Sequence, residues 1–232
     1  MSDQTSFDVI QAAAAADSKS FWAEAAKDIV WITPYKQILK DDRPPFYEWF
    51  VGGEVNACYN ALDRHVADGR GDQAALIYDS PITDTQKTYT YNELTEKVAA
   101  FAGVLRANGV GYGDRVIVYM PMIPEAVIAM LAVVRIGAIH SVVCGGFAAN
   151  ELAKRIDDCT PKMIISASCG VEPNRVVEYK PLLDGAIEQS AHKPESCIIY
   201  QREMVTAPLI DGRDIDWNDA HESVAPAECV PV

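Results

Sequence analysis

The stretch RVIVYMPMIPEAVIAMLAVVRIGAIHSVV, residues 115–143, decides the fold of this chain. Its two ends, 115–120 and 138–143, are short and almost entirely apolar, which predicts strands buried on both faces. Between them, Pro124 is typical of a first helical position and Gly137 is typical of a helix end. The stretch therefore predicts a strand, a helix and a second strand in close succession.

The same alternation extends in both directions, with turn residues between the segments. Alternating apolar strands and helices imply right-handed crossovers, and so predict an α/β fold with a doubly wound, mostly parallel sheet flanked by helices. The remaining predicted elements are strands at 74–79 and 87–91, a helix that Thr90 opens in a capping box with Glu93, a helix at 148–158, a strand at 162–168, a helix at 181–190 and a strand at 196–201.

Residues 1–70 lack this rhythm. Three of the four tryptophans lie there, and proline breaks interrupt the apolar segments. Helices are predicted at 12–26 and at 56–67, the second with Cys58, Leu62 and Val66 facing inward. We expect a mainly helical and irregular N-terminal segment over 1–70, followed by one α/β unit over 71–232.

Composition excludes several classes of protein. The 232 residues carry 20 basic and 33 acidic side chains, a formal net charge of −13, and such a field repels nucleic acid and anionic lipid. The longest apolar run, 126–134, is far shorter than the roughly 20 residues of a membrane span. The acidic first 20 residues do not resemble a secretory or transit signal, so the sequence predicts a cytoplasmic protein.

The six cysteines show no CxxC spacing and no cluster with histidine. This argues against a structural zinc, and no metal site is predicted. The phosphate-binding G-x-x-x-x-G-K-[ST] and dinucleotide G-x-G-x-x-G motifs are also missing from the sequence. The motifs alone therefore predict no particular function for this α/β protein.

Two predicted strand ends carry candidate ligand-binding residues, because such sheets hold ligands beyond the carboxyl ends of their strands. Gly145-Gly146 after one strand allows close backbone approach to a ligand, although a tight turn without a ligand is favoured on spacing alone. Arg175 follows another strand end on a predicted loop. It is suited to gripping a phosphate, or it is a surface arginine paired with an acid, which spacing alone favours.

A longer stretch of the sequence resembles a known protein family. The stretch YMPMIPEAVIAMLAVVRIGAIHSVVCGGFAANELAKRIDDCTPKMIISAS (119–168) closely resembles the N-terminal part of AMP-forming short-chain acyl-CoA synthetases, in the adenylate-forming superfamily. The flanking YNALDRH (59–65), TYTYNEL (88–94) and GVGYGDRV (109–116) agree. The stretch GVEPNRVVEYKPLLDGAI (170–187) is more similar to the propionyl-CoA than to the acetyl-CoA branch.

The resemblance implies a ligase that joins a short-chain carboxylate, acetate or propionate, to coenzyme A. Carboxylate and Mg²⁺-bound ATP first give an acyl-adenylate and pyrophosphate, and the thiol of coenzyme A then displaces AMP. The family's ATP-phosphate loop and adenylating lysine do not occur in this sequence, so we expect an N-terminal fragment truncated before that loop. Such a fragment would have no catalytic residue, no tightly bound cofactor and no activity alone.

The part of the family's sites that the resemblance implies here is one wall of the coenzyme A site. The implied binding residues are Glu172, Pro173, Asn174, Arg175, Cys144, Gly145 and Gly146. Cys144 stands where the family usually has phenylalanine, which removes a ring that is able to lie against adenine. Asn174 stands where the propionyl-like branch has glycine, and asparagine tolerates a positive φ, so we expect the turn to survive.

The missing C-terminal part would be the fragment's natural partner, and its absence predicts exposed apolar surface and self-association. The alternative hypothesis is a non-catalytic binding or scaffold module that retains the fold.

Overall fold

The structure is a computed structural model that describes residues 4–222 and 224–232. The chain divides into two compact units. One comprises the residues up to Asn56 together with Pro231 and Val232, and the other runs from Ala57 to Val230.

The first unit contains two short helices, α1 (Gln4–Ala16) and α2 (Ser18–Ala25), and a small antiparallel sheet of β1 (Gln37–Lys40) and β2 (Glu48–Val51). The single helix predicted at 12–26 is wrong. The Asp17 side chain accepts a hydrogen bond from the backbone N–H of Ser20 and so starts a new helix. The sheet was not predicted, because its strands are short and partly exposed.

The second unit is built on a five-stranded, wholly parallel sheet in the order β11-β10-β7-β5-β6. The four predicted apolar strands are confirmed. The fifth strand, β11, was missed because it is three residues long, carries two aspartates and lies at the sheet edge. The sheet strands are β5 (Arg115–Met120), β6 (Ile139–Cys144), β7 (Met163–Ala167), β10 (Ser196–Tyr200) and β11 (Asp214–Asp216).

Helices cover both faces of this sheet, as predicted. Side chains alternate along each strand, so that Val116 and Val118 join the core on one face while Ile117 and Tyr119 join the core on the other. The helices are α3 (Tyr91–Ala107) and α4 (Pro124–Arg135) on the first face, and α5 (Ala149–Cys159) and α6 (Lys180–Gln189) on the second.

Two antiparallel hairpins accompany the sheet. The strands predicted at 74–79 and 87–91 are confirmed and form the hairpin of β3 (Ala74–Ser80) and β4 (Thr85–Thr90), and the capping box of Thr90 with Glu93 starts α3 directly after it. The second hairpin, β8 (Cys169–Glu172) and β9 (Arg175–Glu178), was not predicted. Residues 57–70 form irregular helical turns in which Cys58 and Leu62 are buried, as the sequence predicts, whereas Val66 is only partly buried.

None of the helices in the described part of the chain is long and apolar enough to cross a membrane. Several large apolar side chains are exposed in the second unit, among them Met122, Ile77 and Tyr112. The expected self-association stays a prediction.

Candidate functional site

The Gly145-Gly146 turn connects the carboxyl end of β6 to α5, and each glycine is needed for a different reason. Gly146 has a φ of +84°, a left-handed backbone that favours glycine. A Cβ on Gly145 would lie 2.4 Å from the ring of Tyr179, which is closer than any carbon side chain tolerates. The turn is therefore determined both by its backbone conformation and by the side chain packed against it.

The side chain of Tyr119 holds the backbone of this turn. Its hydroxyl accepts a hydrogen bond from the N–H of Gly146 at 3.1 Å and donates one to the carbonyl of Phe147 at 2.9 Å. Burial raises the pKa of Tyr119 to about 12, so the phenol stays protonated at neutral pH and is able to do both.

Arg175 is the first residue of β9 in the β8–β9 hairpin, so the expectation that it lies on a loop is wrong. Glu172 pairs with Arg175 across the hairpin, and Pro173 and Asn174 form the turn between them. Within the described residues, Asn174 is not one of those with a positive φ. The tolerance of asparagine for that conformation is therefore not what preserves the turn.

Arg175 is engaged by its neighbour. Its Nε lies 2.8 Å from Oε2 of Glu172 and its Nη2 lies 3.3 Å from Oε1, while the two side chains are 70% and 52% exposed. The hydrogen bond from Arg175 lowers the pKa of Glu172. An anion that approached Arg175 would compete with this carboxylate for the guanidinium.

A cleft of about 410 Å³ opens beyond the carboxyl ends of the strands. Of the predicted site residues, Cys144, Gly145 and Glu172 line it, whereas Gly146, Pro173, Asn174 and Arg175 do not. The structure thus brings the Gly-Gly turn and the hairpin to one cleft, but leaves the guanidinium of Arg175 outside the lining. The other walls come from the β3–β4 hairpin, residues 120–123 and Tyr179.

The cleft also contains Arg202, which is not among the predicted site residues. Among the described residues that line it, Arg202 is the one basic side chain. Its backbone N–H donates to the hydroxyl of buried Ser168 at 2.9 Å, which ties it to the end of β7, and it forms no ion pair with the described residues. The sequence signal that points to Arg202 is its position two residues after β10, beyond the carboxyl end of a sheet strand.

A second cluster of polar side chains lies near the amino ends of the sheet strands, where α4 ends. Arg135 donates through both terminal nitrogens to Asp63, each at 2.8 Å, and contacts the sulfur of Cys58 at 3.5 Å. Cys58, Asp63 and Cys229 bring their ligand atoms within 4.8 Å of one another. Because the guanidinium already supplies positive charge inside this cluster, we assign no metal to it.

Comparisons with known proteins give the family. The model of the AMP-binding enzyme family matches residues 63–230, and that of the acetyl-coenzyme A synthetase N-terminus matches residues 8–61. An acyl-CoA synthetase short-chain family member 3, mitochondrial, from Rattus norvegicus is 50% identical over 222 residues, which is 95% of this chain and 32% of the relative. A propionate–CoA ligase from Salmonella typhimurium is 46% identical over 201 residues, or 87% and 32%.

A solved structure agrees. The acetoacetyl-CoA synthetase from Streptomyces lividans superimposes with a TM-score of 0.82 at 28% identity, over 92% of this chain and 32% of that protein. The chain therefore spans about a third of the length of the relatives it matches. Because the AMP-binding model covers well over half of the chain, and its sheet and helices agree with those of a solved synthetase, this protein belongs to the AMP-binding enzyme family.

Proposed function

We propose that this chain forms the N-terminal part of an AMP-forming short-chain acyl-CoA ligase and supplies one wall of its coenzyme A site. The observation that carries the proposal is the convergence of the Gly145-Gly146 turn and the β8–β9 hairpin on one cleft. Ligands of doubly wound sheets bind at this edge, and the similar proteins are acyl-CoA synthetases and a propionate–CoA ligase.

The full-length ligase would act in two steps. A carboxylate oxygen attacks the α-phosphate of Mg²⁺-bound ATP, which forms an acyl-adenylate and releases pyrophosphate. The thiol of coenzyme A then attacks the acyl carbon, forms the thioester and expels AMP. We propose propionate as the carboxylate, which the 46% identity to a propionate–CoA ligase supports.

The residues of this chain contribute binding in the second step and not bond making in either step. Gly145 brings its backbone to the wall of the cleft, where Tyr179 packs against it, and the exposed thiol of Cys144 borders the same cleft. Pro173 and Asn174 present Arg175 at the tip of the hairpin. We propose that a phosphate of coenzyme A takes the place of Glu172 on Arg175, or shares the guanidinium with it.

Charge explains why local cations matter here. The chain has a net charge of −13, and coenzyme A is itself strongly anionic, so long-range repulsion opposes binding. Affinity must then come from cations at hydrogen-bond distance, where charge-assisted bonds are strong. Arg175 at the hairpin and Arg202 in the cleft are the cations placed for this role.

The test is Arg175→Ala in the full-length ligase. We expect the KM for coenzyme A to rise roughly ten- to a hundredfold, because one charge-assisted contact is lost. Carboxylate-dependent ATP–pyrophosphate exchange should stay near the wild-type rate, since that half-reaction does not use coenzyme A. Arg175→Lys should recover only part of the affinity, because a point charge does not reproduce the planar fork.

Lys154→Ala is the matched control. Lys154 is 69% exposed and pairs with Glu151 at the same i,i+3 spacing, but it lies on α5 and outside the cleft lining. The Lys154→Ala variant should change neither the KM for coenzyme A nor the rate of ATP–pyrophosphate exchange. If exchange and thioester formation fall together in folded Arg175→Ala, or if neither changes, Arg175 does not bind coenzyme A. A full-length protein without any exchange activity would support the scaffold alternative.

A further inference from the structure

Tyr179 lies between the two elements that form the candidate site. It is only 5% exposed, although it stands at the start of α6 beside the open cleft. A Cβ on Gly145 would lie 2.4 Å from its ring and hydroxyl, and a Cβ on Gly170 would lie 2.3 Å from its hydroxyl. One aromatic ring therefore occupies the space next to the Gly-Gly turn and next to β8 of the hairpin.

The backbone of Tyr179 is fixed to the sheet. Its N–H donates to the carbonyl of Ser168 at 3.0 Å, and its own carbonyl accepts from Leu183 in the first turn of α6. The next residue, Lys180, is 3% exposed and pairs with Asp214 at 2.9 Å and with Asp184. Such anchoring leaves the ring little freedom to move away from the glycines.

A second ring supports the first. The ring centroids of Tyr119 and Tyr179 are 5.2 Å apart, and Tyr119 is itself fully buried on β5. Tyr119 binds the backbone of Gly146 and Phe147, while Tyr179 contacts the open faces of Gly145 and Gly170. The turn is thus held from two sides, and β8 of the hairpin packs against the ring of Tyr179.

We propose that Tyr179 is a positioning residue that sets the distance between the Gly145-Gly146 turn and the β8–β9 hairpin. This inference rests on the proposed coenzyme A site, whose width it determines. The ring does not need to touch coenzyme A for this role. A smaller side chain at 179 would let the turn and the hairpin move relative to each other, and a binding wall that shifts by an ångström loses affinity.

The first experiment compares Tyr179→Leu with Tyr179→Phe in the full-length ligase. Tyr179→Leu keeps an apolar side chain but removes the ring, and we expect the KM for coenzyme A to rise roughly tenfold while ATP–pyrophosphate exchange keeps its rate. Tyr179→Phe keeps the ring and should remain within about twofold of the wild type. A merely structural tyrosine would lower the unfolding midpoint in Tyr179→Leu without this split between the two half-reactions.

The second experiment uses the glycine on the hairpin side. Gly170→Ala places a methyl group against the ring and should also raise the KM for coenzyme A. In the double variant Gly170→Ala with Tyr179→Leu the methyl group has room, so the combined effect should be no larger than that of Tyr179→Leu alone. Gly185→Ala on α6 is the control, because its Cβ would lie 3.4 Å from the nearest atom, an acceptable contact.

The outcomes separate this inference from the proposed function. If Arg175→Ala raises the KM for coenzyme A and folded Tyr179→Leu does not, the role of Tyr179 is wrong and the coenzyme A site stands. If neither variant changes that KM, the coenzyme A assignment itself is wrong. Equal losses of exchange and thioester formation in Tyr179→Leu, or additive effects in the double variant, would also overturn the inference.

Discussion

Arg135 lies near the amino ends of the sheet strands, and Arg175 lies near their carboxyl ends. Each of the two arginines binds one carboxylate through two nitrogens. Arg135 is 3% exposed and pairs with Asp63, which is 19% exposed, whereas Arg175 and Glu172 are 70% and 52% exposed. The geometry is similar but the surroundings differ. Removing one member of the Arg135 pair leaves the other with little access to water, while an exposed pair exchanges readily with water or with a ligand.

A second buried network extends this contrast. Asp214 has no exposed side-chain surface and contacts both Lys180 and Arg213, at 2.9 Å and 2.6 Å. Arg213 and Lys180 each also bind Asp184. Lys180 and Arg213 are thus engaged in structural pairs, whereas Arg175 stands exposed at the hairpin and Arg202 lines the cleft.

The largest expected effect comes from breaking the buried pair. Arg135→Ala should lower the free energy of unfolding by about 3–5 kcal/mol, because it leaves the partly buried Asp63 and the carbonyl of Ala227 without this partner. Urea unfolding measures this directly. Arg106→Ala, at an exposed position on α3, is the control and should change stability by less than about 0.5 kcal/mol. Equal effects of the two variants would show that the Arg135 pair is not structural.

A smaller and pH-dependent effect is expected at Asp214. Burial raises its pKa, but hydrogen bonds from Arg213, Ile210 and Lys180 outweigh burial and hold the pKa below its usual value. A depressed carboxyl pKa stabilises the fold fully above the unfolded pKa of about 3.9, and the contribution is lost as the pH falls further. Asp214→Asn should lower the free energy of unfolding at pH 7 by about 2–3 kcal/mol.

The pH series provides the check on that prediction. Urea midpoints between pH 6 and pH 3 should fall less steeply for Asp214→Asn than for the wild type, because the variant no longer has this titrating group. Parallel curves for the two proteins would mean that Asp214 does not contribute to the acid sensitivity of the fold.

The smallest effect on stability is expected at Arg175. Because its pair with Glu172 is open to solvent, Arg175→Ala should leave the urea midpoint unchanged within error while it weakens coenzyme A binding. Glu172→Gln, which removes the same ion pair from the other side, serves as the companion variant and should also unfold at the wild-type midpoint. A clear loss of stability in either variant would mean that the hairpin pair is structural, and the contrast with Arg135 would disappear.

Several features followed from local sequence. The strands 115–120 and 196–201, the helix opened at Pro124 and the capping box of Thr90 with Glu93 lie within a residue or so of their predicted positions. These signals act over a few residues, because apolar alternation and capping are determined by immediate neighbours. The position of Gly145-Gly146 at a strand end was predicted in the same way.

The rest depended on contacts between residues far apart in the chain. Arg135 and Asp63 are 72 residues apart, and no periodicity pairs them. The β8–β9 hairpin contains a glycine, a proline and exposed charges, so it lacks the apolar run of a core strand. Likewise the short strand β11 exists only because the edge of β10 was available for pairing.

By itself the sequence determined the parallel sheet and its two covered faces, because burial of apolar strands is encoded residue by residue. Only the tertiary structure decided which charges and rings meet. The βα crossovers bring Gly145, Gly170 and Tyr179 to one point and place Arg202 in the cleft, while Arg175 stays outside its lining. Such contacts depend on how distant segments pack, and burial then decides whether a charge stabilises the fold or is free to bind a ligand.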